Sequence, residues 1–256
     1  MSNLKIDDVV FSYDKDIVLD KINILIEQGT IIAILGLNGS GKTTLLKLIN
    51  QQLKSKTGTI FIDDSDILKM TKKEISKHIS FVSQLSKDNN DFLVIDYLSF
   101  GLVNSLAFYN SPSNEQIKKI KEIAEAMGIS DLLNRSMDNL SGGEKQMVKI
   151  CSAIIQDTNI ILLDEPLSAL DIKNQNKVIK LLKKLNQQGK TIIMTTHNPN
   201  VCLYLNAKVV LLKDGKIINY GDAVDIITPT NLKPIYGEEI VYVKDTKYYE
   251  VTFKQD

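Results

Sequence analysis

Gly36-Leu37-Asn38-Gly39-Ser40-Gly41-Lys42-Thr43 lies between an apolar run, Ile31 to Leu35, and a stretch in which Leu45, Leu46, Leu48 and Ile49 recur at helical spacing. Its glycines and its Lys-Thr ending fit the phosphate-binding pattern GxxxxGK[ST] in the context that pattern needs, a buried strand before and a helix after. Glycines let backbone N–H groups turn inward around a polyphosphate at a helix N-terminus. Lys42 is then placed to reach β- and γ-phosphate oxygens. Thr43, followed by Thr44 in the same helix start, offers a hydroxyl to Mg²⁺, an ion that takes oxygen ligands and keeps water. A glycine-rich turn capping a helix without any ligand is the bland alternative, and the Lys-Thr ending weighs against it.

Further along, Ile160-Ile161-Leu162-Leu163-Asp164-Glu165 reads as a central strand delivering two carboxylates to its C-terminal end, where ligands of open α/β sheets collect. Asp164 is suited to hold Mg²⁺ through water, and Glu165 to polarise the water that attacks a γ-phosphate. Two acids alone would equally be a helix cap; the phosphate loop tips the reading towards metal. Between these motifs, Leu140-Ser141-Gly142-Gly143-Glu144 pairs Ser141 with Glu144 three residues on, a capping box opening a helix that carries Met147, Val148, Cys151, Ile154 and Ile155. By itself that is only a capped helix with a positive dipole end.

Taken together, the phosphate loop, the Asp-Glu strand and Leu-Ser-Gly-Gly resemble the ATP-binding cassette family, and the resemblance runs from about residue 4 to residue 237. It adds four short motifs in order. Tyr13, in Phe11-Ser12-Tyr13, matches the aromatic that stacks on adenine. Gln84, in Phe81-Val82-Ser83-Gln84, matches the glutamine of the loop that joins the subdomains and meets the metal. Asp171, in Ser168-Ala169-Leu170-Asp171, matches the loop that crosses to a partner subunit. His197, in Thr195-Thr196-His197, matches the histidine that touches the γ-phosphate. The resemblance implies ATP and Mg²⁺ as cofactors, with Glu165, His197, Gln84 and Lys42 catalytic. Tyr13, the loop from Gly36 to Thr44, Ser141, Gly142, Gly143 and Asp171 would bind nucleotide, and Thr43, Gln84 and Asp164 would bind metal.

In that family Ser141 and the amides around Gly142 and Gly143 of one subunit would close over ATP held by another. One copy of each half-site calls for two chains, a two-fold homodimer or a heterodimer with a similar subunit. Arg135 is the single arginine in the sequence, so no arginine finger is readily available in cis. Charge on the γ-phosphate would fall to Lys42, the metal, His197 and the opposing helix end.

A length of 256 residues with 43% hydrophobic content suits one α/β domain or a core with an insertion. The formal net charge is zero, which gives no electrostatic case for nucleic acid. Cys151 and Cys202 lie in helix-like apolar settings and read as buried free thiols in a reducing compartment. The N-terminus is not a signal peptide, and no apolar run approaches the ~20 residues needed to cross a bilayer. The chain is therefore expected in the cytoplasm, peripheral on the inner face of the membrane through a partner.

The expected fold is a P-loop NTPase core with a mostly parallel sheet, an N-terminal antiparallel β-region and an inserted α-helical subdomain. Residues 1–85 and 156–237 are assigned to a RecA-like core with its β-subdomain, 86–155 to the helical subdomain, and 238–256 to a C-terminal hairpin. After the loop Asn110-Ser111-Pro112, Ser113 with Gln116 caps a helix carrying Ile117, Ile120, Ala124 and Met127, and Gly128 ends it. Val178, Leu181, Leu182 and Leu185 mark another helix, Asp214-Gly215 a turn, and Ile240 to Val243 with Tyr248 to Phe253 the terminal hairpin.

Asp222 to Thr228, followed by Asn231 to Gly237, resembles the tail of ATPases serving importers of iron-siderophore, haem, cobalamin and related metal compounds. The stretches Ser111 to Gly128 and Asp171 to Gln175 resemble the same group. Leu102 after Gly101 departs from it where a basic residue is expected, as does Lys145 where arginine is usual. The resemblance implies separate integral membrane permease subunits and an extracytoplasmic substrate-binding protein as partners, with chelated iron the first choice of cargo. A soluble ATPase of iron-sulfur cluster assembly, or an exporter subunit, would share the same engine.

Overall fold

Leu4, Ile6, Val9 and Phe11 give the N-terminal segment an inward face, but the spacing between Ile6 and Val9 breaks strict alternation. The computed structural model resolves the conflict with a register shift there: Asp8 takes φ 50°, one extra residue is absorbed, and all four side chains end up inside. The structure describes residues 3–84, 92–102, 112–237, 240–243 and 248–251. They fall into two units, Met1–Met70 with Ile193–Asp256, and Thr71–Ile192.

In the first unit, β1 (Leu4–Tyr13) pairs antiparallel with β2 (Asp16–Ile26). β3 (Ile31–Leu35) runs into the phosphate loop and α1 (Lys42–Ile49); β4 (Thr57–Ile62) and β5 (Ser65–Asp66) follow. Strand order β2-β1-β4-β5 makes the expected antiparallel N-terminal sheet. Every residue of β3 is buried, as expected of a strand covered on both faces.

The second unit opens with α2 (Lys72–His78), whose Thr71–Glu74 capping box the sequence reading did not pick out, and β6 (Ile79–Val82). Then come α3 (Val94–Phe100), α4 (Asn114–Met127), α5 (Gly142–Ile155), β7 (Ile160–Leu163) and α6 (Ile172–Gln187). β6 and β7 pair in parallel, Ile79 with Ile160 through Val82 with Leu163, and the Asp164 N–H extends the ladder to the Val82 carbonyl at 2.9 Å. The capping boxes at Ser113–Gln116 and Ser141–Glu144 are both formed, and Gly128 closes α4.

Ile120, Ala124 and Met127 are fully buried, at the i, i+4, i+7 spacing of one helix face. Ile117 and Leu181, at the margins of their apolar stripes, are half-buried. Ile120→Ala is expected to cost about 2–5 kcal/mol, the range for truncating a buried Ile, and a urea titration with unchanged m-value measures it.

β8 (Thr191–Thr196) returns the chain to the first unit, where α7 (Pro199–Leu205), β9 (Lys208–Lys213), β10 (Lys216–Asp222), α8 (Ala223–Ile226) and α9 (Pro229–Tyr236) follow. β3 pairs in parallel with β9, Ile32 with Lys208 through Leu35 with Leu211, and β9 antiparallel with β10 around the Asp214-Gly215 turn. The fold is thus α/β, with parallel pairing at its buried strands. β11 (Ile240–Val243) and β12 (Tyr248–Val251) pair antiparallel as the expected hairpin. Its turn, Lys244 to Lys247, its last expected residue, Phe253, and the loop residues Asn110 and Ser111 lie outside the described residues.

No helix among the described residues is long and apolar enough to cross a membrane. Cys151 on α5 and Cys202 on α7 are buried and free. Burial pushes the Cys151 thiol far up and the Cys202 thiol to about 12. Both are expected to ignore a thiol reagent in the native chain and to react once urea unfolds it.

Candidate nucleotide site

The phosphate loop is built around its own lysine. Lys42, 6% exposed, donates from Nζ to the Gly36 carbonyl at 2.9 Å and to the Leu37 carbonyl at 3.0 Å. The loop therefore wraps an ammonium, with Leu37, Asn38 and Gly39 exposed at its crown. Its walls leave no room for side chains: a Cβ on Gly36 would lie 2.3 Å from the Leu212 carbonyl oxygen. Gly41, the N-cap of α1, has φ 103°, and a Cβ there would lie 2.7 Å from Leu19 Cδ2.

The start of α1 differs from those of α2, α4 and α5. It has no side-chain cap and no acidic residue in its first turn, so its own turn supplies no carboxylate to the dipole. Beside it the Ser40 hydroxyl is buried without a hydrogen-bond partner. A buried orphan of this kind costs about 1–3 kcal/mol, and an anion seated on the helix end would satisfy it. These residues fit a polyphosphate. Thr43 is half-buried and Thr44 buried one position further on.

Two other candidate residues belong to the same unit. Tyr13 ends β1, 47% exposed, and meets Phe11 edge to face with ring centroids 4.9 Å apart. His197 leaves the C-terminal end of β8 exposed, ahead of Asn198, which caps α7 by accepting from the Asn200 N–H at 3.0 Å. The His197 carbonyl accepts from the Tyr236 hydroxyl at 2.8 Å, a tie that sequence reading missed.

The second unit holds the other candidates. Asp164 and Glu165, 1% and 8% exposed, follow β7. Glu165 has φ 48°, a left-handed conformation uncommon for its type, and its carbonyl accepts from the Ser168 N–H at 3.2 Å and hydroxyl at 3.0 Å. Non-glycine residues held in this region cluster at functional sites. Gln84 is exposed just past β6, and the residues after it, 85–91, lie outside those described.

Ser141 caps α5: its hydroxyl donates to Glu144 Oε2 at 2.8 Å, and the Glu144 N–H donates back to the hydroxyl at 3.3 Å. The Ser141 N–H, then the Ser141 hydroxyl, hold the Glu144 carboxyl below the usual glutamate range against a smaller burial effect, with Arg135 adding to them. Because the folded value is lowered, this support for the helix start is present above the ordinary glutamate range and is lost as pH falls through the lowered value. A Cβ on Gly142 would meet nothing within 4 Å, whereas one on Gly143 would lie 3.1 Å from the Ala169 carbonyl oxygen, so the turn is open at Gly142 and packed at Gly143.

Asp171 caps α6 by accepting from the Asn174 N–H at 2.8 Å. Gln175 clamps the preceding loop, donating to the Leu167 and Leu170 carbonyls at 3.1 Å each. Neither that clamp nor the grip of Arg135 on Glu144 was legible in the sequence, because each joins residues by a side chain reaching out of a helix or turn.

An uncapped helix behind a lysine-centred glycine loop, a left-handed glutamate just past a buried strand and a capped Ser-Gly-Gly turn are the features of a nucleotide-binding cassette. The chain belongs to the ABC transporter family: that family's profile matches residues 19–168. Membership makes it an ATPase with nucleotide as its ligand. It is 30% identical over 248 residues to the iron(3+)-hydroxamate import ATP-binding protein FhuC of Bacillus subtilis, covering 96% of this chain and 92% of the relative.

Two of the solved structures that share its fold are also similar in sequence along most of the chain. One is a chain from an inward-facing metal-chelate type ABC transporter, with TM-score 0.80, 28% identity and coverage of 97% of this chain and 96% of that one. The other is a dimeric bacterial ABC transporter cassette, with TM-score 0.78, 28% identity and coverage of 86% and 98%.

Proposed function

We propose that the chain is the ATP-hydrolysing subunit of an importer that takes up a metal chelate, iron-siderophore first among them, through separate integral membrane permease subunits. The observation that carries the reading is the phosphate loop, where a lysine held by loop carbonyls, an uncapped helix end and a buried, unpartnered serine hydroxyl together fit an anion. In this reading Tyr13 would stack on adenine, Gly36 to Thr44 would cradle the phosphates, and Thr43, Gln84 and Asp164 would hold Mg²⁺, which would supply positive charge beside the phosphates. An ion that keeps most of its water needs no protein cage. Glu165 takes a proton from the attacking water, and His197 and Lys42 meet charge on the γ-phosphate.

Two copies would close on two ATP molecules, Ser141, Gly142 and Gly143 of each lying over the nucleotide of the other, with the Asp171 loop at the seam. The dimeric cassette of similar sequence supports this arrangement. Phe92, Leu93 and Phe100 are exposed, and Phe92 and Phe100 meet edge to face at 5.2 Å. An aromatic cluster facing solvent suits a protein interface, and we assign it to the membrane subunit. That contact would place the chain peripherally on the inner membrane face, with a substrate-binding protein on the other side. The import name of the Bacillus relative favours uptake over export or cluster assembly.

Gentle purification from native membranes tests this directly. An integral permease should accompany the chain, and ATP turnover should rise when that permease meets its loaded binding protein. Recovery with soluble cluster-assembly factors alone would overturn the importer reading.

A further inference from the structure

We propose that Arg135 is a positioning residue for Ser141, tying the readiness of that serine to residues 92–95. The inference rests on the ATP-sandwich reading, in which Ser141 of one copy meets nucleotide held by the other. Arg135 donates from one terminal nitrogen to Glu144 Oε1 at 3.2 Å and from the other to the Asn139 carbonyl at 2.8 Å. The second oxygen of the same carboxylate, Glu144 Oε2, accepts from the Ser141 N–H and the Ser141 hydroxyl, each at 2.8 Å. One carboxylate is thus shared between the arginine and the serine.

That sharing has a chemical consequence. To donate to a phosphate oxygen, the Ser141 hydroxyl must let go of Glu144 Oε2. A guanidinium on Oε1 draws charge from the carboxylate and makes Oε2 a weaker acceptor, so the hydroxyl is released more easily. The planar fork also fixes the direction of the carboxylate, because its other nitrogen is anchored on Asn139; a lysine ammonium would supply charge without that anchor.

The backbone of Arg135 is held as firmly as its side chain. Its carbonyl accepts from the Val94 N–H at 2.9 Å, the Leu133 carbonyl from the Ile95 N–H at 3.0 Å, and the Met137 N–H donates to the Phe92 carbonyl at 2.9 Å. Leu93 bridges antiparallel to Ser136 between them. Residues 92–95 therefore carry Arg135 with them, and Phe92 and Leu93 of that segment are 46% and 40% exposed, beside Phe100 in the patch assigned to the membrane subunit. A displacement imposed on the patch reaches Ser141 through one side chain.

The test uses the full chain in a Glu165→Gln background, with light scattering after gel filtration in MgATP. The ATP concentration for half-maximal dimer should rise about two- to fivefold for Arg135→Ala, the scale of a largely exposed ion pair, and less for Arg135→Lys. MgATP affinity of the single chain, by calorimetry, should stay within about twofold, because the Arg135 side chain spends its hydrogen bonds on Glu144 and Asn139. Glu144→Gln keeps the capping box but leaves Arg135 no carboxylate to act on, so adding Arg135→Ala to it should shift the dimerisation midpoint little further. Dimerisation of Arg135→Ala at the parent ATP concentration would overturn the inference, as would full additivity with Glu144→Gln. A fall in Tm and monomer nucleotide affinity equal in Arg135→Ala and Arg135→Lys would make the residue merely structural, which also overturns it. If Glu165→Gln alone stays monomeric, the sandwich itself fails, and this inference falls with it.

Discussion

Glu165→Gln is expected to cut ATP turnover by about 10²–10⁴-fold, the usual contribution of a positioned general base, while MgATP stays bound and two copies remain associated. The substitution isolates the proton-accepting oxygen. Gln has the same length, and Glu165 sits 8% exposed with φ 48° and its carbonyl held by Ser168, so a residue of similar size and backbone preference keeps the turn. Single-turnover hydrolysis measures the chemical step, and gel filtration with MgATP detects the trapped pair. A variant that hydrolyses ATP at the parent rate removes Glu165 from the role of base.

Lys42→Ala should weaken MgATP binding by about 10–100-fold, the equivalent of one charge-assisted contact to phosphate, and hydrolysis should fall with it. Two effects add at this position. The ammonium is lost as a phosphate ligand, and the carbonyls of Gly36 and Leu37, which it now holds at 2.9 and 3.0 Å, lose their shared donor, so the loop loses its preset curvature. Isothermal calorimetry reads the first effect, and a thermal melt without nucleotide reads the second. Unchanged binding by calorimetry would take Lys42 out of the site.

What the sequence disclosed was local. The Ser113–Gln116 and Ser141–Glu144 boxes and the Gly128 stop depend on residues three or four apart, and each formed as expected. The continuous apolar runs 31–35 and 160–163 announced doubly covered strands, and both are wholly buried. The phosphate loop was readable because its pattern is contiguous.

What stayed hidden was pairing at a distance. The ladder between residues 92–95 and 133–137 joins two stretches with little periodicity of their own, so neither advertises the other. Tyr236 reaches the His197 carbonyl across 39 residues, and Arg135 reaches Glu144 across nine. Arg135 stood out in composition as the single arginine, yet composition could not say which carboxylate it holds. The left-handed turn at Glu165 was equally invisible, since φ above zero is advertised by glycine or asparagine and seldom by glutamate.

The sealing of both sulfurs inside α5 and α7 makes this chain a convenient host for spectroscopic reporters. A cysteine introduced at Ile172, 78% exposed directly after Asp171, can be labelled with a fluorophore or a spin probe while Cys151 and Cys202 stay dark. Distances between two such labels across a pair of chains would then follow opening and closing in real time, with no need to strip the native thiols first.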